Sequence, residues 1–165
     1  MVLSSCSTTK DRWINRQYHE TTAHYNAFFN GEEALKEALI AFEKSEEYDF
    51  EALLPIYYWP DEKQAPQMFA KMDRALEKSV KAIKNHSMVF RGEQKNDYVF
   101  KAYLLIARAR FYKNEWIQCI EATSYIEDQF RGIEKAEDEV FWAQLLAAQT
   151  HIRMDNTFQA EQILD

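Results

Sequence analysis

The sequence predicts an all-α protein of antiparallel helix pairs, about seven helices in all, and three observations support that prediction. Only three glycines and three prolines occur in 165 residues, too few for the frequent turns of a sandwich, a barrel or a propeller. Hydrophobic residues make up 47% of the chain and recur at steps of three and four, the period of an amphipathic helix. Phe, Tyr and Trp together make up 15% of the residues, which excludes a disordered chain.

The first predicted element is an N-terminal helical hairpin over residues 11–47. Its first helix covers 11–29, where one face carries Ile14, Tyr18, Thr21, Tyr25 and Phe28. Asn30-Gly31 is predicted to end this helix, because both residue types accept the left-handed conformation that closes a helix. A second helix then follows, with an apolar stripe of Leu35, Ala38, Leu39 and Phe42.

Residues 48–66 are predicted to form a connector rich in proline and aromatic residues. Pro55, Pro60 and Pro66 all lie here, and each disfavours the helical conformation of the residue before it. The aliphatic and aromatic side chains between them indicate a segment packed on its neighbours, with a short helix near 50–54.

Apolar periodicity predicts five further helices after the connector. They cover 67–84, 97–113, 115–128, 138–154 and 157–165, the last one cut short by the end of the chain. A basic loop that contains a glycine is expected over 86–96, and no alternating pattern predicts a strand. We therefore expect a flexible tether, residues 1–10, followed by a single helical domain, residues 11–165.

Residues 67–165 are predicted to contain repeated helix pairs. The 34-residue tetratricopeptide pattern requires small residues where two helices approach closely. Residues 100–133 match it, with Ala107 in the first helix and Cys119 in the second.

A second, weaker match covers residues 141–165, with Ala148 and Ala160 at the small positions. The spacing from Cys119 to Ala160 is longer than one tetratricopeptide unit, so an insertion is expected over 131–138. The pattern predicts a short right-handed superhelix of tetratricopeptide type with its last repeat truncated. An ordinary helical bundle is the alternative.

The sequence shows no pattern of a catalytic or metal site. His19 and His24 resemble a zinc-protease motif, but they are five residues apart, about 140° around a helix, and that motif needs a spacing of four. We interpret them as partly exposed polar residues, and Cys119 as a small buried side chain. We predict a non-catalytic protein with no cofactor, no metal and no small-molecule substrate. The net charge of −7 argues against nucleic acid as a partner.

Stacked helix pairs present a concave face to a partner protein. In the tetratricopeptide pattern this face would hold Lys101, Leu104, Arg108, Phe111, Tyr112, Trp142, Leu145, Gln149, Ile152 and Arg153. Lys101, Arg108 and Arg153 would make it locally basic. We expect it to hold an acidic or carboxylate-ended segment through charge-assisted hydrogen bonds. The alternative is that these are ordinary solvated or inter-repeat residues.

The N-terminus contains a second feature, Leu3-Ser4-Ser5-Cys6, which has the form of a bacterial lipobox. Small residues before the cysteine suit the signal peptidase, and Cys6 would be the lipidated residue. Only Met1, Val2 and Leu3 precede the two serines, fewer residues than a signal peptide needs. Cys6 is therefore either a lipidation site or a chance cysteine in a flexible N-terminus. We expect membrane contact only through such a lipid, since no run of 18 apolar residues occurs.

The most specific block of the sequence lies shortly after Cys6. It comprises Asn15-Arg16-Gln17-Tyr18-His19, Thr22-Ala23-His24-Tyr25-Asn26 and Phe29-Asn30-Gly31. Together with Cys6-Ser7-Thr8-Thr9-Lys10 and Met72-Asp73-Arg74-Ala75, this block resembles the N-terminal region of a Bacteroidetes lipoprotein family. These are the tetratricopeptide proteins of the SprE/PorW type, associated with gliding motility and type IX secretion.

The resemblance implies a periplasmic location on the outer membrane, with the protein anchored by a lipid on Cys6. It also implies a structural role in secretion or motility machinery, with other components of that machinery as partners. Members of the family are much longer, so it further implies an N-terminal fragment. The alternative is a generic soluble peptide-binding adaptor unrelated to secretion.

Overall fold

Seven α-helices make up most of the computed structural model, which describes residues 7–46, 51 and 59–165. They are α1 (Trp13–Thr22), α2 (Phe29–Ser45), α3 (Phe69–His86), α4 (Tyr98–Tyr112), α5 (Trp116–Phe130), α6 (Glu137–Arg153) and α7 (Thr157–Leu164). The shorter elements are a π-helical segment (Ala23–Phe28), two 3₁₀ turns (Ala65–Met68 and Glu134–Ala136) and two strands, β1 (Val89–Phe90) and β2 (Glu93–Gln94). The predicted all-α class is confirmed. None of the described helices is long and apolar enough to cross a membrane.

Residues 13–45 form one uninterrupted helical segment, so the predicted hairpin over 11–47 is wrong. The π-helical segment joins α1 directly to α2, and the backbone stays in the right-handed helical region at both junctions. Gly31 lies inside this helix, where a Cβ would be 3.1 Å from Leu105 Cδ2 and 3.2 Å from Lys78 Cβ. The glycine therefore permits a close crossing with α3 and α4, and it does not end a helix.

The apolar face predicted for the first helix is also wrong over most of its length. Ile14, Tyr18 and Tyr25 are exposed. The buried side of the helix carries smaller or polar residues, namely Asn15, His19, Ala23 and Ala27. Small side chains let this helix approach its neighbours closely, Phe28 is buried in the core, and Trp13, Tyr18 and Tyr25 face solvent.

α3 confirms the helix predicted over 67–84. It follows a 3₁₀ turn that has Pro66 in its first turn, where a missing N–H group costs no helical hydrogen bond. The helix predicted near 50–54 lies outside the described residues, apart from one position. At the end of the connector, the ring of Trp59 lies 5.8 Å from that of Phe111, so this part of the connector packs on α4.

The loop predicted over 86–96 contains a short β-hairpin, so the expectation that no strand occurs is wrong here. β1 and β2 pair antiparallel, with Val89 opposite Gln94. Arg91 and Gly92 connect them with φ values of 55° and 81°. Two consecutive left-handed residues are typical of the tight turn that matches the twist of the strands. Strands of two residues are too short to show an alternating pattern.

α4–α5 and α6–α7 are helix pairs joined by turns of the same geometry. Asn114 and Asp155, which occupy equivalent positions in the two turns, have left-handed φ values of 58° and 57°. In each turn the N–H group of the next residue donates to the carbonyl oxygen five positions earlier, at 3.0 Å in the first pair and 2.9 Å in the second. The four helices predicted in this half of the chain are confirmed.

Buried small residues repeat at the same spacing of 41 that separates the two turns. They are Ala102, Ala107 and Cys119 in the first pair, and Ala143, Ala148 and Ala160 in the second. A turn and the second 3₁₀ segment occupy most of the insertion predicted over 131–138. The assignment to the tetratricopeptide class and the right-handed superhelix stay predictions.

Two buried clusters meet at α4. The first lies between the first helical segment, α3 and α4, and includes Leu35, Met72 and Leu105. The second lies between α4, α5 and α6, and includes Phe100 and Ile126. Because α4 contributes to both, its position relative to the first helical segment and α6 is fixed.

Candidate binding groove

A groove of about 630 Å³ lies between the first helical segment, α4 and α6. α4 contributes Lys101, Leu104, Arg108 and Tyr112, and α6 contributes Trp142, Leu145 and Gln149. Seven of the ten residues predicted for the partner-binding face therefore meet in one cavity.

Helical periodicity and the internal repeat explain this convergence. Steps of three and four residues place Lys101, Leu104 and Arg108 on one face of α4. Trp142, Leu145 and Gln149 are their counterparts one repeat later, and they occupy the same face of α6. Since α4 and α6 contact each other, the two equivalent faces form one continuous wall.

Arg153 is one of three predicted face residues that do not line the groove. Its guanidinium carbon lies 5.9 Å from the ring centroid of Trp59 and 5.7 Å from that of Trp116, which are cation–π distances. Arg153 thus contacts both Trp59, a groove residue, and Trp116 of α5. Two further predicted positions also lie outside the groove, because Phe111 is buried in the core and Ile152 is exposed elsewhere on α6.

The charge of the groove is mixed, which corrects the expectation of a locally basic face. Lys101 and Arg108 line it, and neither forms an ion pair with another residue in the described part of the chain. The Lys101 ammonium group lies 5.0 Å from the ring centroid of Tyr98. Glu32 and Glu139 add two carboxyl groups. Burial raises the pKa of Glu139, and the charge of Lys101 opposes this rise.

A third wall, not predicted from the sequence, comes from the first helical segment through His24, Phe28 and Glu32. The imidazole of His24 stacks on Tyr98 of α4, with ring centroids 4.5 Å apart and planes 11° from parallel. These residues are far from α4 in sequence, so no local periodicity connects them. Only Gly31 signals the helix crossing, and a glycine after an asparagine equally predicts a helix end.

Cys119 is buried between helices and lies outside the groove. Its Sγ is 3.3 Å from Thr150 Oγ1 and 3.4 Å from the carbonyl oxygen of Ala107. Burial raises the pKa of the thiol to about 11, so it is protonated at neutral pH and unreactive. This agrees with its interpretation as a small buried side chain. Cys6, the predicted lipidation site, lies outside the described residues.

His19 and His86 form a buried pair between α1 and α3. Their Nδ1 atoms are 3.1 Å apart, and the Asn96 amide donates to the carbonyl oxygens of both residues. Burial lowers the pKa of His86, and the like charges of His19 and Lys81 add to this effect. The prediction that His19 is partly exposed is wrong, whereas His24 is half-buried at the groove. Within the described ranges, no three His, Cys, Asp or Glu side chains group to hold a metal ion.

The groove therefore offers aromatic, hydrogen-bonding and charged side chains on an open surface. Its shape and its mixed lining suit a peptide segment that carries both apolar and polar side chains. No protein-family model matches the sequence, and no curated protein matches it either.

Proposed function

We propose that the protein is a non-catalytic scaffold of tetratricopeptide type that binds other proteins, and that the groove is its binding site. The observation that supports the proposal is the convergence of equivalent positions from two helix pairs. Lys101, Leu104 and Arg108 have counterparts in Trp142, Leu145 and Gln149, and all six line the same cavity. A repeated face that surrounds a groove is the arrangement with which helical repeat proteins bind extended segments.

The proposed partner segment carries carboxylates for Lys101 and Arg108. The two cations are seven residues apart on α4, a separation of about 10 Å along the helix axis. Three residues of a partner segment in the polyproline II conformation span about 9 Å and complete one turn, so its residues i and i+3 point to the same side. Acidic residues at positions i and i+3 of the partner therefore fit both cations, and Glu32 and Glu139 repel acidic side chains elsewhere in the groove.

The proposed cellular setting rests on the resemblance to the SprE/PorW-type lipoproteins. In this proposal Cys6 carries the lipid, the protein lies on the periplasmic face of the outer membrane, and its partners belong to the secretion or motility machinery. The second candidate function is a soluble peptide-binding adaptor, which uses the same groove and needs no lipid.

Recovery of partners from a Bacteroidetes cell envelope tests the groove. The bait is the chain itself, with Arg108→Glu as the test variant. Arg74→Glu is the matched control, because Arg74 is an exposed arginine of α3 that does not line the groove. We expect the same envelope proteins with the unchanged chain and with the Arg74→Glu variant, and their loss with the Arg108→Glu variant. Equal recovery with both variants would rule out the groove.

The fate of Cys6 separates the two candidate functions. We expect the product of the native gene to incorporate a labelled fatty acid and to fractionate with the outer membrane, and Cys6→Ser to abolish both. Cys119→Ser is the matched control, because Cys119 is buried. An unlabelled product in the soluble fraction would favour the generic adaptor.

A further inference from the structure

Among the described residues, Glu139 is the only acidic side chain that is buried, and it lines the groove at the start of α6. Its exposed fraction is 8%, whereas Glu32, the second carboxylate of the groove, is exposed to solvent. Removing a carboxylate from water costs free energy that a close cation or several hydrogen bonds must offset. The surroundings of Glu139 therefore show whether the fold itself supplies that compensation.

The fold supplies only part of this compensation. Glu139 belongs to no ion pair among the residues that the structure describes. Its own backbone N–H group donates a hydrogen bond to the carboxylate, and the charge of Lys101 acts on it from a distance too long for an ion pair. Burial still raises the pKa of this carboxyl, as expected where no cation lies against it.

The position of Glu139 in the first turn of α6 does not account for its burial. Acidic side chains favour this turn because of the helix dipole. Glu137 and Asp138 occupy the same turn, however, and both are exposed. An acidic residue that only complements the dipole can stay in water, so the burial of Glu139 at the groove has a different reason.

An exposed aromatic ring lies beside Glu139 in the groove. Trp142 is three residues later on α6, so the two side chains are neighbours on one face of the helix, and Trp142 is 56% exposed. Tyr98, the counterpart of Glu139 on α4, already stacks on His24 and has the Lys101 ammonium group 5.0 Å from its ring centroid. Trp142 is therefore the ring at this end of the groove on which a bound cation can stack.

We infer that an arginine of the bound segment occupies this end of the groove, with its guanidinium group hydrogen-bonded to Glu139 and stacked on Trp142. The inference rests on the proposed function, since it names the chemistry of the segment that the groove binds. Arginine suits the site better than lysine, because a planar guanidinium donates two parallel hydrogen bonds to one carboxylate and is more weakly hydrated than an ammonium group. The segment then carries both signs of charge, as the groove does.

The charged positions of the groove set a spacing for this segment. Equivalent positions of the two helix pairs lie side by side in the groove, so Glu139 is level with Tyr98. Tyr98 is ten residues before Arg108, which is about 15 Å along the axis of α4. In the polyproline II conformation, about five residues span that length. Five residues are not a whole number of turns, so the arginine and the acidic side chain point to different sides, as Glu139 on α6 and Arg108 on α4 require.

Selection of peptides from a random library displayed on phage tests the inference, with the full chain as bait. Glu139→Gln is the test variant, because glutamine keeps the size of the side chain and removes its charge. Glu137→Gln is the matched control, because Glu137 is exposed in the same helical turn and does not line the groove. The Arg108→Glu variant identifies the peptides that bind in the groove.

We expect peptides selected on the unchanged chain and on the Glu137→Gln variant to share an arginine about five residues from an acidic residue. Peptides selected on the Glu139→Gln variant should keep the acidic residue and lack the arginine. A selected peptide should bind the unchanged chain at least about tenfold more tightly than its citrulline version, in which a neutral group of similar shape replaces the guanidinium. With the Glu139→Gln variant, that difference should fall below about threefold.

The stability of the free chain separates a binding role of Glu139 from a structural one. Without peptide, Glu139→Gln should not lower Tm by more than about 2 °C, because the substitution leaves no close cation without its partner. A larger loss of stability would show that Glu139 serves the fold, and it would overturn the inference.

Failure of the inference and failure of the proposed function give different results. Peptides that depend on Arg108 but share no arginine, or that keep the arginine when selected on the Glu139→Gln variant, would overturn the inference and leave the groove as the binding site. A shared lysine would overturn the choice of a planar guanidinium. If no selected peptide depends on Arg108, the proposed function fails, and the inference fails with it.

Discussion

Asn30-Gly31 and the turns at Asn114 and Asp155 carry similar helix-ending residues, yet the chain uses them differently. At Asn114 and Asp155 the backbone takes positive φ values and a new helix follows. At Asn30-Gly31 the helix continues, because α3 and α4 pass so close to Gly31 that only a hydrogen atom fits comfortably. The residue type permits a helix end, and the neighbouring helices decide whether one forms.

The comparison also separates two roles of small residues. In the C-terminal half, Ala107 and Cys119 lie at contacts within consecutive helix pairs, which a fixed spacing in the sequence identifies. In the N-terminal half, Gly31 lies where a helix crosses α3 and α4, which are distant from it in sequence. A repeated spacing in the sequence indicates the small residues within helix pairs, whereas no local pattern indicates a small residue at a crossing of distant helices.

The largest expected effect comes from filling the space at Gly31. Gly31→Leu forces a side chain against Leu105, Lys78 and the carbonyl oxygen of Ala75, and should lower the free energy of unfolding by about 3 kcal/mol. Denaturant unfolding measures the change.

The adjacent substitution Asn30→Ala is its control. The Asn30 amide only donates to carbonyl oxygens of its own helix, so its removal should change stability by less than about 0.5 kcal/mol. A small loss with Gly31→Leu would contradict the role of Gly31 as a point of close helix contact.

A smaller effect is expected at the turn between α6 and α7. Asp155 is exposed and has a φ of 57°, a conformation that costs a residue with a Cβ about 1 kcal/mol. Asp155→Ala should lower the free energy of unfolding by about 1 kcal/mol, because alanine tolerates the left-handed conformation less well than aspartate. Asp155→Gly should be neutral or stabilising. Equal losses with both substitutions would show that the side chain, and not the backbone, stabilises this turn.

Periodicity and turn residues predict the helices of the C-terminal half, and seven of the ten residues predicted for the partner-binding face line the groove, because those features are local or repeat at a fixed spacing. The same reasoning fails for the first helical segment. Its π-helical turn departs from the 3.6-residue period, and its buried side contains Asn15 and His19 instead of the larger apolar residues. The groove wall formed by His24 and Glu32 depends on how the helices cross, which their own sequence does not encode locally.

The smallest expected effect is a pH dependence confined to the N-terminal half. The folded state lowers the pKa of His86, because burial disfavours the imidazolium form and because His19 and Lys81 contribute like charge. The unfolded histidine has a pKa of about 6.5, so the unfolded chain binds the proton first as the pH falls. The stabilisation is therefore complete above about pH 6.5 and decreases below it. Hydrogen exchange, corrected for intrinsic rates, should show earlier loss of protection in α1 than in α4 to α7.

His86→Gln tests whether the histidine pair causes this dependence. Glutamine keeps a polar side chain at the contact with His19 but cannot take up a proton in this range. The variant should be less stable at pH 7.5 and should lose less additional protection in α1 between pH 7.5 and 5.5. If α1 instead loses the same protection on acidification in the variant, other groups control the pH response. If α4 to α7 lose protection at the same pH as α1, the N-terminal and C-terminal halves unfold as one unit. Helix packing at Gly31 would then keep the two halves together even when the histidine pair is protonated.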